Sequence, residues 1–317
     1  MTLYQAVIAP EGPLASPLHS DTLFGAFCWS WLRCFGRASL ESDLIAPSLS
    51  GEPLVIFSNG FPHGALPLPM GCYDTANRFE ALEDKAERRA AYQRAKKLKG
   101  ARFVERTGFD RIRAGDWSGF TKYLVEEGGR EETTIHNMVS RDSGTVENLG
   151  GAGNLFGSVR RFFDPAQRFD CYILTCLDHD RLSAVLELML SLGIGADKSS
   201  GCGLFRLESL TEEKELTRAP EGANGYVALS NFLPARRDPV RGAWQFLPKY
   251  PKLDREFAQG DAPFKKPLLF LKAGALFRTE APKPWYGRCL TGVAAVDAPV
   301  TVNGCTIAVS IRVPEGV

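Results

Sequence analysis

The chain has 317 residues, enough for two ordinary domains or one large domain with insertions. A hydrophobic fraction of 44% and a charged fraction of 24% fit a packed globular protein and exclude disordered and fibrous classes. The formal charge of +1 excludes a chain that coats nucleic acid with its whole surface but permits a local basic site.

No charged segment followed by an apolar run opens the sequence, and no stretch approaches the roughly 18 apolar residues of a membrane span. Cys28, Cys34, Cys72, Cys171, Cys176, Cys202, Cys289 and Cys305 are scattered, with no C-x-x-C pair. That spacing weakens both a zinc site and a dithiol redox motif. The expectation is buried free thiols in the cytoplasm, with neither metal nor cofactor.

In chain order, residues 3–9 form an apolar, β-prone run closed by Pro10, Gly12 and Pro13. Ser20 or Asp21 is then expected to cap a helix carrying Leu23, Phe24, Phe27, Trp31 and Leu32 at helical spacing. Residues 54–57 read as a short strand. From about residue 74 the composition changes. Residues 85–113 hold eleven basic side chains against three acidic ones, a local balance of +8. The first half of that run is Ala-rich and reads as a helix that Gly100 ends. Residues 114–155 are rich in Gly, Asn, Ser and Thr, so the span of about 74–155 is expected to be an insertion.

Residues 159–163 and 169–177 read as strands flanking Asp164-Pro165, which predicts a hairpin. Asp180 is expected to cap an amphipathic helix through Leu182, Val185, Leu186, Met189 and Leu190, and residues 204–210 read as a strand. The order strand–helix–strand, insertion, strand–helix–loop–strand is compatible with an α+β, ferredoxin-like (RRM-like) βαββαβ fold. A linker is expected over 211–222. Beyond it come mostly strands, at 225–233, 243–247, 267–276 and 300–313. The expected division is an N-terminal domain at 1–212 and a C-terminal, mainly β domain at 213–317.

The segment Gly193-Ile-Gly-Ala-Asp-Lys-Ser-Ser-Gly-Cys-Gly203 lies between the second helix and the strand after it. Its glycines at 193, 195, 201 and 203 permit positive φ, and a nest of N–H groups beside Lys198, Ser199 and Ser200 suits phosphate oxygens. A dinucleotide fingerprint or P-loop needs a strand before the glycines and a helix after them, the reverse of this order. A repeated-phosphate polymer fits better, and a long helix-to-strand turn is the plain alternative. His19, Ser20, Asp21 and Thr22 open the first helix, where free N–H groups can hold a phosphate. A simple helix cap accounts for those four residues as well. His136, Asn137, Arg141, Ser143, Gly144 and Thr145, then Leu155 and Phe156, suit single-stranded RNA on a projection, or a solvated loop. His63 sits in a Pro-rich turn with no chemical partner in sequence, and His179 lies just before a helix. Metal-independent RNA cleavage needs one well-placed base, for which His19, Asp21 and His136 are the candidates.

The helix-to-strand G-x-G-x5-G-x-G loop resembles the signature of the RAMP superfamily of CRISPR proteins. Paired with Leu18-His-Ser-Asp-Thr-Leu-Phe-Gly-Ala-Phe27, it is similar more narrowly to the type III-A (Csm) effector subunit that holds the guide RNA's 5′ end. The run Lys96-Lys-Leu-Lys-Gly-Ala-Arg-Phe103 and the 136–156 stretch resemble that family's middle region, and a type III-B counterpart has a similar plan. Past residue 210 only Lys272-Ala-Gly-Ala-Leu-Phe277 resembles the family. The resemblance implies a RAMP domain whose insertion forms a thumb, with a degenerate second RAMP domain after it. It implies a non-catalytic subunit for RNA-guided antiviral defence that binds the repeat-derived 5′ tag of crRNA. Its partners would be the large polymerase/nuclease subunit on one side and a RAMP backbone subunit on the other. By position, Gly193, Gly195, Lys198, Ser199, Ser200, Gly201 and Gly203 would cradle the tag together with the Ser20–Thr22 turn. His136, Asn137 and Arg141 would belong to the thumb or lie near it. Cys202 departs from the larger or aliphatic residue expected inside the loop. Some RAMP proteins cleave RNA, which keeps an endoribonuclease as the alternative.

Overall fold

The computed structural model describes residues 1–72, 84–137, 139, 155–253, 263–294 and 300–315. The opening apolar run becomes β1 (Thr2–Pro10), and the helix after it is α1 (Ser20–Ser39). Leu23, Phe24, Phe27 and Trp31 recur every three or four residues along α1 and are all buried. Each such side chain contributes about 1.5–3 kcal/mol by leaving water. Next come β2 (Val55–Pro62), β3 (Phe169–Thr175), α2 (His179–Ser191) and β4 (Phe205–Glu212). These four strands form one sheet in the order β2-β3-β1-β4, with every neighbour antiparallel. The cap of α2 is Asp178, whose carboxylate accepts the Arg181 N–H at 2.8 Å, two residues earlier than the expected Asp180.

Both faces of this sheet are covered, which is why β3 is buried at all seven positions rather than at alternate ones. Ala6, Ile8, Phe57, Cys171 and Ile173 pack with the apolar stripes of α1 and α2. Leu3, Ile56, Tyr172 and Leu174 share the opposite core with Val227, Leu229, Val309 and Ile311 from beyond residue 213. A single hydrophobic core therefore spans the expected 212/213 division. One charged residue lies inside β3. Asp170 is wholly buried and accepts hydrogen bonds from the Gly64 N–H at 2.9 Å and from His63 Nδ1 at 2.7 Å. His63 thus has a chemical partner, which its sequence neighbourhood does not reveal.

Between β2 and β3, helix Lys85–Gly100 carries the first half of the basic run. Helix Arg106–Arg113 carries part of the second, and Ala65–Pro67, Phe103–Glu105 and Leu124–Val125 form a small sheet. Arg106 pairs with Glu213 at 2.8 Å, and Glu213 also accepts the N–H groups of Glu215 and Leu216. The expected linker is therefore tied down at its start. The expected hairpin across Asp164-Pro165 does not form, because both edges of β3 are taken by β1 and β2. Leu155–Phe162 pairs instead with Arg130–Asn137, in register from Arg130 opposite Phe162 to Asn137 opposite Leu155. This insertion hairpin supplies structure within the excursion read as loop.

Past residue 213 no helix occurs among the described residues. Five short strands form a sheet in the order Gly242–Ala243, Leu276–Arg278, Gly225–Ala228, Cys305–Ile311, Trp285–Gly287. A separate two-stranded ribbon pairs Phe246–Lys249 with Leu268–Leu271. Among the described residues no helix is long and apolar enough to cross a membrane.

Candidate nucleic-acid interface

The glycine loop connects α2 to β4 and folds tightly on itself. Gly193, Gly195, Gly201 and Gly203 all take positive φ, and Asp197 does so at +57° without being glycine. Two of these glycines are set by close approach as well as by dihedral. A Cβ on Gly203 would lie 2.0 Å from the Ile194 carbonyl oxygen, and one on Gly195 would lie 2.0 Å from Ser16 Oγ. The loop's N–H groups are largely spent inside the protein. Ile194 donates to Gly203 O, Gly203 to Pro13 O, Cys202 and Ser200 to Asp197 O, Gly201 to Lys198 O, and Ala196 to Ser16 Oγ. The nest expected from the glycine count is thus mainly an internal device. It holds Ser199 and Ser200 at the surface and Lys198 half-buried beside them, and Cys202 fills the interior beneath.

What the loop grips is the segment after β1. Glu11 donates its N–H to Leu204 O, and a Cβ on Gly12 would lie 2.3 Å from Gly201 O. On its other side this segment bridges the insertion hairpin, with Leu14 and Arg161 exchanging backbone hydrogen bonds at 2.9 and 2.8 Å. Ser158 Oγ closes the circuit by donating to Asp197 Oδ2 at 3.3 Å. Glycine loop, residues 11–19 and hairpin base therefore make one continuous edge. His136 and Asn137 sit at the hairpin's far end, with His136 stacked on Phe156 at 5.3 Å between ring centroids. Arg141, Ser143, Gly144 and Thr145 lie outside the described residues.

The start of α1 joins the same edge through residue 19, but its groups are already partnered. Its N-cap is His19, and neither Ser20 nor Asp21 caps the helix with its side chain. A bulge in β2 turns Asn59 toward the helix, and Asn59 Oδ1 accepts the Ser20 N–H at 3.0 Å and the Asn231 N–H at 3.2 Å. Ser20 Oγ donates to Asn231 O, and the Thr22 N–H goes to His19 O. Lys249 Nζ bridges Asp21, at 2.5 and 2.7 Å from its two oxygens, and lies 3.2 Å from His19 Nδ1. Burial first and the Lys249 charge second push the His19 imidazole down to about 4, against a smaller opposing effect of Asp21. An imidazole that accepts from an ammonium at Nδ1 is neutral and keeps its proton on Nε2.

Sequence reasoning missed Ser16, Asn59, Arg161 and Lys249. A nearby Ser-Pro turn was the one available hint for Ser16. Lys249 lies 228 residues from Asp21, and no local pattern marks that pairing. Among the described residues no group of three or more His, Cys, Asp or Glu side chains is placed to hold a metal.

No family model and no curated protein sequence matches the chain. Solved structures match it along nearly all its length. A Csm1-Csm4 cassette in complex with pppApA is similar at TM-score 0.63 and 20% identity, covering 99% of this chain and 100% of the other. A Csm1-Csm4 cassette in complex with cA4 is similar at TM-score 0.64 and 19% identity, with the same coverage. A Csm3-Csm4 subcomplex of the type III-A CRISPR-Cas interference complex reaches TM-score 0.63 at 12% identity, again over 99% and 100% of the two chains. Csm4 is the component common to all three. The chain has that fold. At 12–20% identity the likeness is one of backbone and topology.

Proposed function

We propose that this chain is the RAMP-type subunit of a type III-A CRISPR effector that grips the repeat-derived 5′ tag of crRNA. In this reading it also joins the large polymerase/nuclease subunit to the backbone subunits. The observation that carries the reading is the continuous edge formed by the glycine loop, residues 11–19 and the insertion hairpin, on a fold shared end to end with Csm4. The sheet order β2-β3-β1-β4 with α1 and α2 on one face supports a ferredoxin-like first domain. The hairpin is the thumb of this reading. Lys198, Ser199 and Ser200 offer a charge and two hydroxyls to phosphates, and His136 with Phe156 offers a stacked pair of rings to an unpaired base.

A binding role without cleavage fits the state of two of the three candidate bases, His19 and Asp21. A general base works best with a pKa near the working pH, and His19 is held at about 4. The Asp21 carboxylate is occupied by Lys249. The test is filter binding of the full chain to an RNA carrying the 5′ repeat tag and to the same RNA without it, and then a denaturing gel. Preferential binding of the tagged RNA, weakening as salt rises, with the RNA intact, is the expected result. Equal affinity for both RNAs overturns tag recognition, and cleavage abolished by His19→Ala overturns the non-catalytic assignment.

A further inference from the structure

We infer that the outer face of the C-terminal ribbon is a second binding surface, for single-stranded nucleic acid held by stacked bases and neutralised phosphates. The inference extends RNA binding beyond the glycine-loop edge and stands on the ribbon's own residues.

From Phe246 to Leu253 the chain alternates with the period of a strand, but inside out. Phe246, Pro248, Tyr250 and Lys252 are exposed, whereas Leu247, Lys249 and Pro251 are half-buried and Leu253 is buried. The inward face is anchored by Lys249 on Asp21 and by the fully buried Phe270. The outward face is aromatic. Trp244 is 40% exposed, Phe246 51%, Tyr250 69% and, bridged to Lys252 from the opposing segment, Phe264 55%. Trp244 and Phe246 stand edge to face with centroids 4.9 Å apart. Hydrophobic burial alone would turn these rings inward, so a face that keeps four of them in water is built for a partner.

The charges carried by this stretch of chain indicate which partner. Arg236, Arg237, Arg241, Lys252 and Lys266 are exposed along this part of the chain. Across residues 236–279 the sequence holds ten basic side chains against four acidic ones (Asp238, Asp254, Glu256 and Asp261), and the Asp238 carboxylate accepts the N–H groups of Ala235 and Gly287. A protein partner for an aromatic face needs no such excess of positive charge. A polyanion that presents flat π surfaces does, because bases stack on aromatic rings while Lys and Arg track the phosphates. Stacking of this kind tolerates any base, so the expected ligand is single-stranded and not sequence-selected.

The test is fluorescence anisotropy of the full chain with labelled oligouridylate and oligothymidylate over a range of salt. Combining Trp244→Ala, Phe246→Ala and Tyr250→Ala is expected to weaken binding roughly tenfold or more, with thermal melting unchanged. Combining Arg236→Gln, Arg237→Gln and Arg241→Gln leaves the rings in place and is expected to flatten the log–log salt slope by about 2. Equal losses on both probes support single-stranded backbone as the ligand, and a loss on oligouridylate alone supports it and assigns the surface to RNA. No binding by the unaltered chain, or unchanged affinity in both variants, overturns the inference. Unchanged oligonucleotide affinity together with loss of a co-purifying protein subunit overturns it in favour of a protein-docking face. Lys198→Ala measured in parallel reads the glycine-loop edge, so either surface can fail without the other.

Discussion

The molecule carries two separate two-stranded ribbons, and they differ in what side chains add to their backbone attachments. The insertion hairpin is held by backbone, through Leu14 paired with Arg161, and by Ser158 reaching the glycine loop at Asp197. The C-terminal ribbon is held by backbone too, with Leu271 and Phe232 exchanging hydrogen bonds at 2.8 and 3.0 Å, but also by buried side chains, through Lys249 clamped on Asp21 and Phe270 in a local core. Their surfaces differ too. Opposed residues of an antiparallel pair share a face, so the hairpin shows Ile135, Leu155 and Val159 on one side and the His136–Phe156 stack on the other. Its strands mix Glu131 and Glu132 with Arg130, Arg160 and Arg161, whereas the ribbon surface is aromatic and basic. A formal charge of only +1 thus conceals two differently built ribbons, joined along the start of α1. The hairpin's strands mix both signs, with Arg130 paired to Glu132 and Arg161 to Glu127 and Glu131, which suits a wedge, and the ribbon's basic excess suits a track along phosphates.

The strongest way to break the comparison is at the hairpin's foundation. Gly203→Ala drives a Cβ against the Ile194 backbone at a φ of +75°, with an expected loss of about 3–4 kcal/mol in urea unfolding. Gly201→Ala is the control, with a φ of +79° and open space around it, and is expected to lose only about 1 kcal/mol. At the ribbon's foundation, Lys249→Ala strands the Asp21 carboxylate in a site that is mostly closed to solvent. The expected loss is about 3 kcal/mol, and Asp21→Asn combined with Lys249→Met should recover part of it.

Acid sharpens the same foundation. His19 has a folded pKa of about 4 against 6.5 for the free side chain, so the folded state resists its protonation. Its contribution is complete above 6.5 and is lost as pH falls from 6.5 to about 4. His19→Gln is expected to shrink that acid loss by an amount on the order of 2 kcal/mol, read as unfolding free energy across the window. The smallest expected effect is at the end of the hairpin's described strands. Ile135→Thr and Leu155→Thr lie on an exposed face and should shift stability by less than about 0.5 kcal/mol, as thermal melting would show.

Much of the first domain was readable because each element carries its own periodicity. The stripe Leu23, Phe24, Phe27, Trp31 specifies a helix wherever it stands, and the apolar residues of β3 specify a strand. The glycines at 193, 195, 201 and 203 announced a tightly folded loop for the same local reason, since positive φ is a property of single residues. Pairing was less legible. Residues 159–162 looked like the partner of β3 by proximity, yet the partner was decided by which sheet edges remained open. The second half was readable as strands but not as an arrangement, because its strands are short and their order is set by contacts far apart in the chain.

The sequence by itself therefore determined the alternation of strands and helices, the strained glycine loop, and the local charge and aromatic content of each segment. These depend on neighbours a few residues away. Only the tertiary structure decided what those segments face. It spent the loop's N–H groups on Pro13 and Ser16, filled the start of α1 with Asn59 and Lys249, and turned the rings of 244–250 outward. Those outcomes rest on hydrogen bonds and ion pairs between residues tens to hundreds of positions apart, which pattern and propensity do not encode.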